Sequence, residues 1–423
     1  MKVFRARRLA TMLGAVIDDG CVVIDGDRIT DVGPAHLLRP PRVDVEIDGL
    51  LMPGLINAHT HLELTNVPRP PRPGSFVDWV IETIASQRRD TPEAYARDRA
   101  DAVRQGVAQC LKFGVTCVGD ISQNVVIARP ILAGGPIRSV SFGECLGIGE
   151  RAARFASLLE SATTEMAFDE SPWMRTGVSP HAPYTVDRGG YIDAYVASPR
   201  HDPLTTHFAE TPHEAAFAGA RAGPLAELYS RLGFDPGEPT FPAHADVLFA
   251  FLGTFDRSRW LLAHVNYCTS SQLDCLAGQR PPGVVWCPRT HRYFGHPPHP
   301  WKEMIARDIN VCVGTDSCAS SGDLNVVDDL RLLHADEPGV AVERLWSMVT
   351  RDADRALRWG WGEDDGPETG TRPLGVIAPG AMADFVAFAA TGEDPLREIL
   401  ETPALLPSGV WVGGESFDRP NGP

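Results

Sequence analysis

Short apolar runs alternate with amphipathic stretches through the middle of the chain. The apolar runs include GVTCVGD, PIRSVSF, MRTGVSP, LTTHFAE, WLLAHVN, GVVWCP and INVCVGTD. Between them lie segments such as AYARDRADAVRQGVAQCLKFG, in which small apolar residues recur at helical spacing. Strands that alternate with helices indicate βα units and a parallel sheet. About eight such units over residues 51–371 predict an α/β fold, a (β/α)8 TIM-type barrel.

The two ends of the chain show a different pattern. CVVIDGDRITDVG is two apolar runs joined by an Asp-Gly turn, which predicts a hairpin. Near the other end, RPLGVIAPGAMADFVAFAA indicates a strand, a Pro-Gly turn and a second strand. Each end is too small to bury a core of its own. We therefore predict that residues 1–50 and 372–423 pair into one small β-sandwich, with the barrel domain of residues 51–371 inserted between them.

The composition indicates which classes of partner the protein is not expected to bind. A formal net charge of −16 and a pI near 5.2 argue against nucleic acid and anionic membranes as partners. No apolar stretch approaches the roughly 18 residues that span a bilayer, and the first residues, which include the apolar run Leu9–Ile17, are interpreted as a strand and not as a signal peptide. The nine cysteines contain no CxxC pair, which favours reduced thiols and a cytoplasmic location. A homo-oligomer is left open.

Polar residues stand where several of the apolar runs end. His59 and His61 close MPGLINAHTH, and because alternate residues of a strand face the same way, both imidazoles point into one space. His207 closes LTTH, His264 closes WLLAH and Asp316 closes INVCVGTD. Barrel active sites are assembled at the carboxyl ends of the strands. Imidazoles and a carboxylate in such an array predict a divalent metal site, with Zn²⁺ preferred and Fe²⁺ possible.

These motifs, in this order, resemble the amidohydrolase superfamily. MPGLINAHTH, HFAE, LAH and VGTDS are similar to its metal-site motifs, and LGVIAPGAMADFVAF is similar to a segment of its C-terminal sandwich. The resemblance spans nearly the whole chain. It implies metal ligands at His59, His61, His207 and Asp316, and it implies that His264 lies beside the metal-bound water.

The lysines bear on the number of metal ions. In binuclear members of the superfamily, a carboxylated lysine late in the fourth strand bridges two ions. The only lysine between His61 and His207 is Lys112, in a helix-like stretch before GVTCVGD. We therefore predict a mononuclear site, which indicates the deaminase branch.

Glu210, three residues after His207, matches the HxxE glutamate that shuttles protons in the mononuclear deaminases. A divalent ion makes hydroxide available near neutral pH. Glu210 would take the proton of the attacking water and deliver it to a ring nitrogen. Asp316 would accept a second proton for the departing ammonia, and His264 would orient the hydroxide. Positioned acid–base groups of this kind contribute roughly 10²–10⁴-fold in rate.

Other segments suggest which substrate binds. GVSPHAPYTV resembles a segment of S-adenosylhomocysteine, methylthioadenosine and related purine-nucleoside deaminases, which implies that His181 contacts the substrate. CPRTHRYFGH resembles aminodeoxyfutalosine deaminases, whose substrate carries a benzoate. We therefore expect the basic cluster with Arg289 and His291 to bind an anionic group. Trp79 is a candidate for stacking on a base.

Three alternatives stay open at this point. Other mononuclear members share the ligand set, namely guanine deaminase, cytosine deaminase, triazine hydrolases and imidazolonepropionase. A catalytically silent barrel that serves as a binding scaffold is the alternative outside the enzymes. A solvated arginine-rich loop is the alternative for the segment around Arg289. The intact ligand set favours an enzyme, a metal-dependent aminohydrolase of a 6-aminopurine nucleoside.

Overall fold

The strands and helices follow the order that the apolar pattern predicts. The computed structural model describes residues 1–71, 74–164, 171–199, 202–241, 245–278, 281–359 and 373–417. In chain order its strands are β1 (Lys2–Leu9), β2 (Ile17–Asp25), β3 (Arg28–Pro34), β4 (Val45–Pro53), β5 (Leu55–Thr60), β6 (Val115–Ser122), β7 (Arg138–Cys145), β8 (Met174–Pro180), β9 (Leu204–Phe208), β10 (Trp260–His264), β11 (Gly283–Trp286), β12 (Asn310–Val313), β13 (Phe385–Phe388), β14 (Pro407–Val412) and β15 (Glu415–Ser416).

The helices of the described residues lie mostly between the barrel strands. They are α1 (Ala35–Leu38), α2 (Phe76–Ser86), α3 (Pro92–Lys112), α4 (Val125–Ala133), α5 (Ala152–Thr163), α6 (Arg188–Ala197), α7 (Glu214–Ala220), α8 (Pro224–Leu232), α9 (Ala245–Leu252), α10 (Ser270–Leu276), α11 (Pro288–Phe294), α12 (Trp301–Ile305), α13 (Cys318–Ser321), α14 (Val326–Asp336), α15 (Val342–Ser347), α16 (Arg351–Leu357) and α17 (Pro395–Glu401). Short 3₁₀ turns lie at Leu62–Leu64, Gly149–Arg151 and Arg257–Arg259.

Strands β5 to β12 form the predicted barrel. Each strand pairs in parallel with the next one along the chain, in an eight-stranded sheet. A bridge between Thr60 and Asp316 joins the first edge of this sheet to the segment after its last strand. Every residue of β6 and β7 is buried, as expected for parallel strands covered on both faces. Because the strands are parallel, their carboxyl ends meet at one mouth.

The two ends of the chain pair with each other in a separate sheet, as predicted. It has seven strands in the order β15-β14-β13-β4-β1-β2-β3. This is one curled sheet, since the backbone of Ile29 in the edge strand β3 bonds with Gly380 and Ala381, just before β13. The buried ion pair of Arg138 with Asp384, at 2.7 Å, joins this sheet to the start of β7. Strand β4 runs to Pro53, three residues beyond the predicted domain boundary at residue 50. The boundary itself stays a prediction.

Some local expectations change. The apolar run Leu9–Ile17 is not a strand; it ends β1, turns and begins β2. The segment at residues 374–377 is also not a strand, although the turn that follows it has Gly380 at φ +88°. Residues 360–372, which cover the end of the predicted barrel domain, lie outside the described residues. All nine cysteines are free thiols, and only Cys268 and Cys275 are not buried. Within the described part of the chain, no helix is long and apolar enough to cross a membrane.

Candidate active site

The mouth of the barrel brings together the four residues that are predicted as metal ligands. His59 lies in β5 and His61 follows that strand, His207 lies in β9, and Asp316 follows β12. The Nε2 atoms of His61 and His207 are 3.3 Å apart. Oδ1 of Asp316 lies 3.8 Å from Nε2 of His59 and 3.5 Å from Nε2 of His61. Ligand atoms from three parts of the barrel therefore converge on one point.

Hydrogen bonds from outside this cluster orient its side chains. The ring nitrogen Nδ1 of His207 donates to the carbonyl oxygen of His181 at 3.2 Å, which leaves Nε2 facing the cluster. The hydroxyl of Ser320 donates to Oδ2 of Asp316 at 2.9 Å. Both ring nitrogens of His59 are buried and have no hydrogen-bond partner among the described residues. Since buried polar atoms are normally satisfied, this donor set fits a divalent cation.

Burial sets the charge of these groups. It lowers the pKa of His59 and of His61 well below the ordinary value, and the neighbouring imidazoles add to the effect. It also lowers the pKa of His207 to about 4. Burial raises the pKa of Asp316 to about 6, against the hydrogen bond from Ser320. The imidazoles are therefore neutral, which is the form that binds a metal, and a cation beside Asp316 favours its ionised form.

The turn after β9 directs Glu210 towards the same cluster. Oε1 of Glu210 lies 3.7 Å from Nε2 of His264, and this ring nitrogen is buried with no hydrogen-bond partner among the described residues. Ala209 has φ +48° and His264 has φ +74°, conformations that are uncommon for residues other than glycine and that cluster at functional sites. Burial raises the pKa of Glu210 well above its ordinary value, and the charges of Asp316 and Glu214 raise it further.

Two side chains fix the backbone behind this pair. Nε2 of His299 donates to the carbonyl oxygen of His264 at 2.7 Å. The His299 ring stacks on Trp286 with the ring centroids 4.6 Å apart. The amide of Asn266 donates to the carbonyl oxygen of Glu210 at 3.1 Å. The backbone of His264 and the backbone of Glu210 are therefore each held by a side-chain hydrogen bond.

A cavity of about 790 Å³ opens from the cluster, and it is lined by His181 and Trp79, both predicted to contact the substrate. The ring centroid of His181 lies 4.8 Å from that of His207. The indole N–H of Trp79 donates to the carbonyl oxygen of Ala319 at 3.0 Å, which fixes the ring in the wall. The wall also contains the aromatic residues Phe76, Tyr95, Tyr184, Tyr229 and Phe234 and the exposed arginines Arg88, Arg89, Arg151 and Arg154.

The structure corrects the prediction that Arg289 binds an anionic group of the substrate. The backbone N–H and Nε of Arg289 each donate to the fully buried carboxylate of Asp329 at 2.9 Å. Nη1 donates to the carboxylate of Asp323 at 2.6 Å, and Nη2 donates to the carbonyl oxygens of Asp323 and Asn325. Arg289 is not among the residues that line the cavity. Its donors instead fasten α11 to the start of α14.

His291 also lies outside the cavity wall. Its Nδ1 lies 3.0 Å from Oδ1 of Asn266, and its Nε2 lies 2.8 Å from the carbonyl oxygen of Pro297. Its neighbour Arg292 forms an exposed ion pair with Asp336. The basic loop is thus balanced by carboxylates that the linear sequence does not place beside it. His291 supports Asn266 and through it the backbone of Glu210.

The lysines and the fourth barrel strand bear on the metal count. Lys112 is the exposed last residue of α3, away from the mouth. The position after β8, the fourth barrel strand, is taken by His181. Two further groups of possible ligands overlap the predicted set: the first is His59, His207 and His264, and the second is Glu144, His181 and His207. A mononuclear site therefore stays a prediction, and the second group makes the metal count worth measuring.

Three buried carboxylates at the mouth were not singled out from the sequence. Oδ1 of Asp120, in β6, accepts the backbone N–H of Leu62 at 2.9 Å and so holds the turn after the HxH motif. Glu63 accepts the backbone N–H of Gln123 at 2.9 Å. Glu144, in β7, lies 3.8 Å from the His181 ring. Asp120 and Glu144 carry the signal that identified the metal ligands, namely a polar residue near the carboxyl end of an apolar strand.

Known proteins resemble the chain over most of its length. A model of the amidohydrolase family matches residues 50–416. A 5-methylthioadenosine/S-adenosylhomocysteine deaminase of Halalkalibacterium halodurans is 27% identical over 82% of this chain and 74% of its own. An aminodeoxyfutalosine deaminase of Deinococcus radiodurans is 26% identical over 82% of this chain and 84% of its own.

Solved structures share the fold. The crystal structure of Helicobacter pylori aminofutalosine deaminase in complex with methylthio-coformycin superposes with a TM-score of 0.82. It is 21% identical and covers 99% of this chain and 100% of its own. The predicted barrel is therefore confirmed. The match to the family model over most of the sequence also confirms the resemblance seen in the motifs, and the chain belongs to the amidohydrolase family, as a hydrolase of carbon–nitrogen bonds other than peptide bonds.

Proposed function

We propose that the protein is a metal-dependent aminohydrolase that replaces the 6-amino group of a purine nucleoside by oxygen and releases ammonia. The observation that carries this proposal is the contact between Glu210 and His264, 3.7 Å apart, at the edge of the cluster of His59, His61, His207 and Asp316. A protein that only bound a ligand would not need a buried carboxylate aimed at such a cluster. The sequence relatives named above are deaminases of adenosine-like nucleosides, which supports the same reaction class.

The cluster of His59, His61, His207 and Asp316 would hold one divalent ion. Neutral imidazoles with one carboxylate suit Zn²⁺, and Fe²⁺ is the alternative. When bound, such an ion supplies Lewis-acid chemistry that lowers the pKa of water to about 7. Because the ligands come from separate strands of one rigid barrel, the site keeps its geometry when substrate enters.

The protein's own groups would manage the protons. Glu210 takes a proton from the attacking water and donates it to the ring nitrogen next to the amino-bearing carbon. That carbon forms a bond to oxygen and then loses its bond to nitrogen, and Asp316 passes the second water proton to the leaving ammonia. His264 holds the attacking oxygen through the ring nitrogen that faces Glu210. One water is consumed and one ammonia is released.

The cavity suits a purine nucleoside with a substituent at its 5′ end. At about 790 Å³ it falls within the range of small-molecule sites. Trp79 and Tyr184 offer aromatic faces for the base. Arg151 and Arg154, exposed residues three apart at the start of α5, lie on the wall and suit an anionic group at the far end of the substrate. A carboxylate-bearing nucleoside such as aminodeoxyfutalosine is therefore the preferred substrate, with these arginines in the role first expected of Arg289.

The test is a screen for ammonia release by the zinc-loaded protein. The panel contains adenosine, 5′-deoxyadenosine, methylthioadenosine, S-adenosylhomocysteine and aminodeoxyfutalosine, together with guanine, cytosine, a triazine and imidazolonepropionate; the last two need not release ammonia, so their turnover is followed by chromatography of the product. We expect turnover of the adenine nucleosides and the highest kcat/KM for aminodeoxyfutalosine. Turnover of one of the last four compounds alone would favour another mononuclear amidohydrolase. Nucleoside binding without release of ammonia, at full metal occupancy, would favour a binding scaffold.

A further inference from the structure

Glu144 presents a buried carboxylate oxygen to which no described residue donates a hydrogen bond. The side chain lies in β7 and lines the active-site cavity, and the residue is 4% exposed. Its Oε1 atom is buried and has no hydrogen-bond partner among the described residues. A buried acceptor of this kind is costly unless something binds it. The unsatisfied oxygen therefore indicates a ligand group.

The neighbours of Glu144 determine which of its oxygens is free. Nη2 of Arg154 donates to Oε1 of Gln123 at 2.8 Å. Arginine can only donate, so the Gln123 amide must turn its nitrogen the other way. That nitrogen donates to Oε2 of Glu144 at 2.7 Å. These two hydrogen bonds, from Arg154 to Gln123 and from Gln123 to Glu144, fix the carboxylate of Glu144. They occupy its Oε2 and leave Oε1 as an acceptor.

A second acceptor lies beside the first. Oγ1 of Thr185 donates to the carbonyl oxygen of Ala182 at 3.2 Å and lies 2.6 Å from Nδ1 of His181. Of the two tautomers of His181, the one that leaves the hydroxyl bonded to Ala182 has Nδ1 donating to Thr185 and Nε2 with its lone pair free. Nε2 lies 3.8 Å from Oε1 of Glu144, beyond hydrogen-bond distance. In this tautomer Oε1 of Glu144 and Nε2 of His181 present two neighbouring acceptors to the cavity.

We propose that Glu144 and His181 together bind the adjacent 2′- and 3′-hydroxyl groups of the substrate's ribose, and that Glu144 makes the enzyme selective for ribonucleosides. Two hydroxyls on neighbouring carbons supply the two donors that this pair lacks. A cation could also bind to two acceptors. However, the positive charge of Arg154 is separated from Glu144 only by the Gln123 amide, and a metal ion is expected beside His207. Both charges repel a further cation, so a neutral donor is favoured. This inference rests on the proposed function, because it assumes a nucleoside in the cavity.

The test compares substrates with and without the hydroxyls. The variant Glu144→Gln keeps the shape of the side chain, but its amide oxygen pairs with Gln123 and its NH₂ group faces the cavity, so an acceptor becomes a donor. We expect kcat/KM for adenosine to fall about tenfold or more, and kcat/KM for 2′,3′-dideoxyadenosine to stay within twofold. Glu160→Gln, on the exposed face of α5, is the matched control and should change neither value. An inhibition constant replaces kcat/KM for an analogue that turns over too slowly.

The other outcomes are separable. Equal losses on adenosine and the dideoxy analogue would overturn the proposal and show that Glu144 supports the site as a whole. Loss of bound metal from Glu144→Gln would mark Glu144 as a ligand and overturn it as well. If the wild-type protein turns over neither nucleoside and binds neither, the proposed function itself fails. Turnover of both at equal efficiency by the wild type leaves the deaminase intact and overturns only the ribose subsite.

Discussion

Oε1 of Glu210 and Nε2 of His264 lie 3.7 Å apart; Glu210 follows β9, and His264 is the last residue of β10, the neighbouring barrel strand. Both side chains are buried, and His264 also lies within ligand distance of His59 and His207. Strand pairing places Ala263 opposite His207, so the residues after both positions emerge side by side. The pair is therefore a consequence of parallel register, and it joins the proton carrier to the group that orients the attacking water.

The first prediction concerns Glu210. Replacement by Gln keeps the volume but removes the proton carrier, so we expect kcat to fall about 10²-fold or more while the bound metal is retained. Steady-state kinetics and metal analysis of the same preparation measure both quantities. The control Glu227→Gln, on the exposed face of α8, should behave as wild type. Loss of metal would instead identify Glu210 as a ligand, and full activity would remove it from the mechanism.

The second prediction concerns the metal. We expect one equivalent of zinc or iron per chain, removed by a chelator with loss of turnover and restored by one added equivalent. Asp316→Asn should bind this ion more weakly, because a neutral amide replaces a carboxylate. Elemental analysis and activity titration measure the stoichiometry. Two equivalents at full activity would contradict the mononuclear site and would draw attention to the second ligand group, Glu144, His181 and His207.

The third prediction follows from the corrected role of Arg289. Asp329 is fully buried, so Arg289→Ala would leave its carboxylate without a partner, and we expect the free energy of unfolding to fall by about 3–5 kcal/mol at pH 7.5. Arg292→Ala breaks only an exposed pair with Asp336 and should cost about 0–1 kcal/mol. Arg289→Ala should change KM to the same extent for substrates with and without a carboxylate. A selective rise in KM for carboxylate-bearing substrates would return Arg289 to the binding site.

The same variant has a predicted dependence on pH. Burial raises the pKa of Asp329 to about 6 even with Arg289 beside it. A raised carboxyl pKa means that ionisation destabilises the folded state, and that this cost is relieved as the pH falls through the folded pKa. The loss caused by Arg289→Ala should therefore be smaller at pH 5 than at pH 7.5. Denaturant titrations of wild type and variant at both values measure the difference, and a loss that grew at pH 5 would contradict the assignment.

The sequence predicts the barrel and the metal-ligand cluster because both depend on a local pattern, namely short apolar runs that end in a polar residue. A run such as WLLAH is a strand with a polar end whatever surrounds it, and parallel order then brings His264 to the mouth. The sequence does not predict the role of Arg289, because that role depends on residues far from it along the chain. Its partners Asp323 and Asp329 follow a different strand, and only the packing of α14 against α11 shows that its charge is already balanced. Asp120 and Glu144 have the same local pattern as Asp316, since each is a polar residue near the carboxyl end of an apolar strand.

The last prediction concerns His299 as a positioning residue. His264 has φ +74° and the β-branched Val265 that follows it has φ +51°, so this corner of backbone is strained and needs support. His299 supplies it through the 2.7 Å hydrogen bond to the His264 carbonyl. His299→Phe keeps an aromatic ring against Trp286 but removes the donor, and we expect kcat to fall about tenfold with KM nearly unchanged.

The matched variant is His299→Gln, whose amide nitrogen reaches about as far as Nε2 of the imidazole and can donate to the same carbonyl. It should recover most of the lost kcat, because it restores the hydrogen bond without the ring. If His299 acts only through packing, the kcat of His299→Phe should exceed that of His299→Gln. Phe would keep the ring stack on Trp286, whose centroid lies 4.6 Å from that of His299, and Gln would lose it. Thermal unfolding of both variants separates the two roles: if His299→Phe keeps its kcat while His299→Gln melts earlier and loses activity, the ring matters and the hydrogen bond does not.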